Sequence, residues 1–415
     1  MSFKDSKWIR NMMMFLAVMG PGIITANVDN DAGGITTYSL AGAHFGYTML
    51  WSLLPITLAL IVVQEMCSRM AVATGKGLAD LIRENFGVKI TFYFMLTLFV
   101  FNLTNVMAEF AGVAAGLEIF GVSKFISVPL AALFVWVLVV KGNYKTVEKI
   151  FLIACVFYIA YVISGFMAKP DWHEVFHQTL IPHISFNRDY LTMLVAMVGT
   201  TIAPWMQFYL QSSIVEKKIP IEEYKLVRLD VVWGCILAPV VAFFIVVACA
   251  ATLSQAGVHI DTAKDAALAL KPFAGKYASW LFAYGLFNAS LFAASVLPLS
   301  TAYSICEGMG WDTGIDKQFH EAPQFFGLYT AIIVLGAGIV LIPNFPLLKI
   351  MYFSQVGNGI LLPLVLIFIL WLSNNPEIMG EFTNSKAFNV IAWVTVVVMV
   401  VLSIIMIAFS FPGVV

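Results

Sequence analysis

Apolar runs of about 20 residues alternate with short clusters of charged and turn residues along the whole chain. That is the pattern of a protein that crosses a membrane many times. Bounded by those clusters, the runs predict about eleven spanning helices. They fall at 11–42, 47–72, 91–117, 123–140, 150–168, 190–214, 230–253, 277–305, 324–343, 348–372 and 387–411. The connections are short, and no Ser/Gly linker, charge run or low-complexity tract divides the chain. A single transmembrane domain over 1–415 is therefore expected. The start, SFKDSKWIRNMMMFLAVMG, has the basic stretch and apolar run of a signal peptide. It flows into polar residues at Asn27 to Asp31 without a small-residue cleavage pattern, so it reads as the first spanning segment.

Two runs depart from plain helical hydrophobicity. The first reads GPGIITANVDNDAGGITTYSLAGAHFGY, with Asn27, Asp29, Asn30 and Asp31 followed by Gly33 and Gly34. The sixth reads MVGTTIAPWMQFYLQSS, with Gly199, Thr200, Thr201 and Pro204 in its middle. Carboxylates inside an apolar span cost several kcal/mol unless they face a partner or a wet cavity. Paired glycines and an internal proline both weaken helical hydrogen bonding, so both spans are expected to unwind. Starting the first helix after Asp31 would strand Met12 to Ile24 as a half-span. Interrupted helices at corresponding positions of two five-helix halves point to a substrate or ion site in an inverted-repeat transporter.

Composition agrees with the pattern. Sixty per cent of the 415 residues are hydrophobic and 11% charged, with a mean hydropathy of +0.89. A soluble domain carries about 25% charged residues. The net charge of −1 offers no basic field for nucleic acid. Five scattered cysteines, Cys67, Cys155, Cys235, Cys249 and Cys306, form neither a disulfide framework nor a CxxC metal site. Lys and Arg set the orientation: sixteen of the 23 fall on the N-terminal side of the predicted membrane and seven opposite. A multi-pass protein of the plasma membrane with a cytoplasmic N-terminus is the expectation.

Several segments resemble the Nramp divalent-metal transporters. These are GPG at 20–22, AGAHFGYTMLW at 41–51, VVQEMCSRMAVATGKGLADLIRENFG at 62–87, GTTIAP at 199–204, YLQSSI at 209–214 and SQV at 354–356. The resemblance implies an all-α LeuT-type fold of the APC superfamily: two inverted five-helix repeats with helices 1 and 6 broken. The repeats would span about 11–168 and 190–372, with an extra helix at 387–411. It also implies a site. The family's Asp-Pro-Gly-Asn falls on Asp31-Ala32-Gly33-Gly34, so Asp31 matches the metal-binding Asp and Gly34 replaces the Asn. Thr200 stands where a backbone carbonyl binds the ion, Ala203 replaces the Met ligand, Trp205 replaces a His, and Gln355 keeps the family's Gln. The third-helix Asp-x-x-Glu is Val106-x-x-Glu109. These departures are similar to those of Nramp-related magnesium transporters.

The substitutions have a chemical meaning of their own. A thioether favours transition metals, and Ala203 removes it. Mg²⁺ is hard, keeps several waters and uses one or two carboxylates. A site of Asp31, carbonyls and Gln355, with room at Gly34 and Ala203, suits partly hydrated Mg²⁺ and also admits Mn²⁺. Asp29 and Asn30 could turn toward the ion's waters; equally, Asp29 could cap the break. Thr25, Asn27 and Gln207 are weaker candidates. A proton relay lacks its usual members, since Trp205 and Val106 do not titrate, and Glu109 could simply bond a neighbour. Uniport of a divalent ion by alternating access, with a monomer sufficient and no resident cofactor, is the expectation.

The rivals are a proton-coupled transition-metal symporter using Glu109 and a sodium-coupled carrier of small organic solutes. Asp29 and Asp31 would repel the carboxylate of such a solute. No HExxH or other catalytic motif supports an intramembrane enzyme. Plainer readings cover the remainder. Gly112 and Gly116 suit close packing, and Glu65 with Arg69 suits a helix-end ion pair. His44, His173, His177 and His183 need no metal, Met12 to Met14 face lipid or core, and Glu307 and Asp312 lie solvated in a loop.

Overall fold

A computed structural model describes residues 19–254, 263–344 and 347–410, and all its regular elements are helical. Met12 to Met14, and with them the start of the first predicted span, lie outside the described residues. The first helix comes in two pieces, α1 (Pro21–Val28) and α2 (Ala32–Phe45). A 3₁₀ turn, Gly46–Ser52, leads into α3 (Leu53–Thr74). Next come a short helix α4 (Leu78–Phe86) and the long α5 (Val88–Glu118). The chain continues through α6 (Lys124–Val140), α7 (Tyr144–Val156), α8 (Ile159–Met167) and the peripheral α9 (Trp172–Leu180). The sixth predicted span is also two helices, α10 (Arg188–Thr201) and α11 (Pro204–Glu216). Then follow α12 (Tyr224–Cys249), α13 (Ala263–Met309), α14 (Pro323–Val340), α15 (Leu347–Ser373), the single turn α16 (Pro376–Met379) and α17 (Lys386–Ser410).

Among the described residues, nine helical stretches are long and apolar enough to cross a membrane. They are fewer than the eleven predicted spans for local reasons. The 3₁₀ turn fuses α2 to α3 into one stretch, and α6 is apolar but only 17 residues long. Two amphipathic or polar helices, α4 and α9, occupy stretches between the predicted runs.

Both breaks form where the sequence places them, each with a visible cause. Pro21 opens α1, where its missing N–H is harmless. Asp31 ends the break in an extended conformation and caps α2, its Oδ1 accepting from Gly34 N at 2.6 Å. In the sixth span Pro204 opens α11, while Ile202 and Ala203 leave the helical conformation. Pro204 thus starts the second half-helix instead of kinking a continuous one.

Small residues let the half-helices sink into the bundle. A methyl on Gly234 of α12 would lie 2.6 Å from the carbonyl oxygen of Gly22 in α1. A methyl on Gly199 of α10 would lie 2.8 Å from Gly359 Cα in α15. Gly112 and Gly116 of α5 abut Ser290 and Phe287 of α13, and Gly112 also meets Ala32 of α2, the close packing expected of them. The α10–α11 pair is almost wholly buried, whereas Leu58, Leu96, Leu130 and Val394 face outward with the exposure of lipid-contacting side chains. Glu65 and Arg69 form their ion pair at 3.2 Å, and Arg69 also donates to Phe382 O at 2.7 Å and to Asn384.

Candidate functional site

The two breaks meet in the interior, and three oxygens close on one small residue. A methyl added to Gly34 would lie 2.7 Å from the Asp29 carbonyl oxygen, 3.0 Å from Thr200 Oγ1 and 3.4 Å from Asp31 Oδ1. Gly34 is therefore the floor of an oxygen cradle that any side chain there would fill. Asp29, Asp31 and Thr200 are all buried. Asp29 Oδ1 and Thr200 Oγ1 have no hydrogen-bond partner in the protein. Buried polar atoms are normally paired, and leaving one unpaired costs about 1–3 kcal/mol. At Gly34 the unpaired atom is Thr200 Oγ1, beside the Asp29 carbonyl and Asp31 Oδ1, an all-oxygen set of the kind that suits a small cation.

A third buried oxygen without a partner is Glu109 Oε1 on α5. Its Oε2 accepts from Ala32 N at 3.1 Å, fastening the first turn of α2, and its carboxyl lies beside that of Asp31. Glu109 thus bonds a neighbour, as one reading of the sequence expects, and that neighbour brings its carboxyl to the candidate site. The signal was its register: Asn105, Glu109 and Gly112 recur at helical spacing, so they share the face of α5 that meets α2 and α15. Val106 turns elsewhere, against Gly336 of α14.

The other expected residues divide. Gln355 on α15 lies over Gly33, next to the cradle. Its Oε1 accepts from Asn358 Nδ2 at 3.0 Å, and Asn358 exchanges amide bonds with Asn105 at 3.0 and 3.2 Å. The amide oxygen is thus engaged by a neighbour instead of pointing at the cradle. Asn30 points away, donating to Ala238 O on α12 at 3.0 Å. Ala203 lies in the second break, in extended conformation, its carbonyl accepting from Gln207 Nε2 at 3.2 Å. Trp205 is buried in the first turn of α11, and its carbonyl accepts from Ser300 Oγ at 2.9 Å. Gln207 pairs with Gln64 at 2.7 Å, while Thr25 and Asn27 bond back within α1.

One residue that holds the site together gave no sequence signal. Asp230 of α12 is buried and accepts from Gly20 N at 3.2 Å and from Gly22 N at 2.6 Å, capping α1 from 208 to 210 residues away. Nearby, Lys217 bridges Glu148 Oε1 at 2.7 Å and Met19 O at 2.9 Å. A correction concerns Glu307: it is buried on α13, bonded to Ser212 Oγ at 2.6 Å, and not solvated in a loop. Helix α13 runs to Met309, beyond the predicted end at 305, so Glu307 faces α11 within the bundle. Asp312 does lie in the solvent-exposed connection, paired with Lys317 at 2.5 Å.

Comparison with known proteins bears on the fold and the family. The chain is 28% identical over 403 residues to the divalent metal cation transporter MntH of Erwinia tasmaniensis, covering 95% of this chain and 94% of that one. Its fold is similar to that of a manganese transporter from Eremococcus coleocola, with a TM-score of 0.80 at 21% identity, covering 99% and 90% of the two chains. A nucleobase-cation-symport-1 family transporter shares the architecture more distantly, with a TM-score of 0.59 at 15% identity over 95% and 94% of the chains. Residues 22–409 match the family described as natural resistance-associated macrophage protein-like. This multi-pass membrane protein, built on the LeuT-type fold with broken helices, is a member of the Nramp family of divalent metal cation transporters.

Proposed function

We propose that this chain carries Mg²⁺, and Mn²⁺ with it, as a uniporter working by alternating access across the plasma membrane, with its N-terminus in the cytoplasm. The observation that carries the reading is the cradle around Gly34. The three atoms nearest to it are all oxygens, and the family's soft-ligand position, in the second break, is Ala203. Oxygen ligands of low number suit a hard ion that keeps part of its water, and they give no advantage to a soft metal. Asp31 supplies the main carboxylate, the Asp29 carbonyl and Thr200 two further oxygens, and Gln355 an amide once it turns from Asn358. The whole chain acts as one transport unit, a monomer suffices, and the ion is cargo, with no resident cofactor. The substitutions at Gly34, Ala203 and Trp205 are what support assigning it, within this proposal, to the magnesium-transporter branch of the family.

A second reading has a specific observation in its favour. Glu109 lies beside Asp31 with one oxygen unpartnered, and the relatives named above include a manganese transporter. A proton-coupled Mn²⁺ or Fe²⁺ symporter would use that pair of carboxyls as its relay. One assay separates the two: purified protein in vesicles carrying a metal-quenched dye or a pH dye, with Mg²⁺, Mn²⁺, Ca²⁺ and Zn²⁺ added outside. Uniport predicts quenching by Mn²⁺, competition by Mg²⁺ and a flat luminal pH, with all transport lost in Asp31→Ala. Luminal acidification that follows the metal and disappears in Asp31→Ala would establish symport instead.

A further inference from the structure

At the far end of α11 from the cradle, a second group of buried oxygens surrounds a cavity of about 290 Å³. Its walls include Ser212, Glu216, Tyr303, Glu307 and the 313–317 connection. Three of the oxygens have no hydrogen-bond partner: Glu216 Oε2, Glu307 Oε2 and the Tyr303 hydroxyl. Tyr303 is 2% exposed and Glu307 6% exposed, so solvent does not account for their two oxygens, while Glu216 is half-buried. Each acid is fixed by its other oxygen. Glu216 Oε1 accepts from Ile315 N at 2.6 Å and from Asp316 N at 3.4 Å, and Glu307 Oε1 accepts from Ser212 Oγ at 2.6 Å. Glu307 Oε2 also lies close against Gly77, at the start of α4. Of the wall's cations, Lys317 lies near Glu216 but is bonded to Asp312 at 2.5 Å, and Lys218 lies exposed at the rim. Asp316 is exposed and held by Tyr144 N at 2.9 Å.

We propose that this cavity is a second divalent-cation site, separate from the transport cradle and held by Glu216, Glu307 and Tyr303. Two carboxylates and a phenol with no His or Cys select a hard ion, and the cavity's size leaves room for the ion's waters. Helix α11 runs 13 residues from Pro204 beside the second break to Glu216 in the cavity wall, about 20 Å at a rise of 1.5 Å per residue. The site lies at the end of the bundle that carries Met19 and Lys217, the end that the Lys and Arg distribution assigns to the cytoplasm. An ion held there also engages Glu216, which ties the 313–317 connection to α11.

The test counts Mn²⁺ bound by the purified full-length chain, from the electron paramagnetic resonance signal of free Mn²⁺. Asp31→Ala removes the cradle and should leave one bound Mn²⁺. On that background Glu216→Gln, which can still accept from Ile315 N, should weaken the remaining site. The loss should be no smaller than the about tenfold that removing an outer-shell partner costs a metal site. Tyr303→Phe deletes only the hydroxyl and should weaken the site in the same direction, covering the case in which Glu216→Gln folds poorly. No residual Mn²⁺ in Asp31→Ala, or residual binding that neither substitution alters, overturns the proposal. If Asp31→Ala binds as much Mn²⁺ as the unaltered chain while Glu216→Gln removes one ion, the second site stands and the cradle reading fails.

Discussion

Gly34 sets the character of the cradle by the atoms it lacks. In Gly34→Ala the new methyl would stand 2.7 Å from the Asp29 carbonyl oxygen and 3.0 Å from Thr200 Oγ1, inside the space an ion needs. Uptake should fall to that of protein-free vesicles, and because the 2.7 Å contact is with backbone, stability should also fall by about 1–3 kcal/mol, the scale of overpacking a buried site. Ala203→Met should shift preference toward Cd²⁺ and Mn²⁺ by adding a thioether, read as the ion ranking in a competition assay. An unchanged ranking would contradict the assignment of this position. Asn358→Leu frees the Gln355 amide to turn toward the cradle and should lower the KM for the metal with Vmax unaltered; a raised KM would show that Asn358 instead orients Gln355 for the ion. The breaks that bring Asp31 and Thr200 together could be read from the chain because charge and broken periodicity inside an apolar run are local signals. The resemblance implied a Thr200 carbonyl, whereas its hydroxyl is the atom at Gly34. Glu109 was half legible. Its residue type was visible, but the N–H of Ala32 that it bonds belongs to a helix 77 residues earlier.

Among elements, the two half-helices show how far local rules reach. Proline at the first turn, an acid at the cap and glycines after it predict both breaks, and the structure has them at Asp29–Asp31 and at Ile202–Ala203. What keeps α1 in place is not local. Its N-terminus has no side-chain cap of its own, and Asp230 supplies one from α12. Periodicity carries no information about a partner more than 200 residues away, so this contact was invisible in the sequence. Asp230→Ala should cost about 1–2 kcal/mol, as loss of a cap does. Hydrogen exchange of the amides at 22–24 should then speed about 5–30-fold, the factor that energy implies. Equal exchange in both proteins would show that Gly22 packing against Gly234 suffices without the cap. Helix α4 was missed for a related reason. Its nine residues are too short and too polar to stand out beside spanning runs.

For the whole molecule, coupling is a matter of energy supply. A divalent ion moving inward through 100 mV gains about 4.6 kcal/mol, twice the ~2.3 kcal/mol of a unit charge. At about 1.4 kcal/mol per decade that supports roughly 10³-fold accumulation with no second ion. In vesicles clamped with potassium and valinomycin, uptake should therefore follow the imposed potential, and a pH gradient alone should drive none. Accumulation driven by the proton gradient at zero potential would favour the symporter, and Glu109→Gln should then abolish it. The overall architecture was the most legible part, because every span writes its own apolar run. The number of separate runs was less so, since turns such as Gly46–Ser52 join helices without a polar interruption.

The non-helical stretch Asp29–Asp31 is at once the joint between α1 and α2 and a wall of the cradle. An ion bound there bridges both sides of the joint and the neighbouring break at Thr200, as a splint crosses a fracture. Loading therefore stiffens the part that must bend for the ion to leave, and release has to begin with the loosening of this splint. The time an ion spends in the carrier is then written into the compliance of three residues, and a stickier metal becomes a slower passenger.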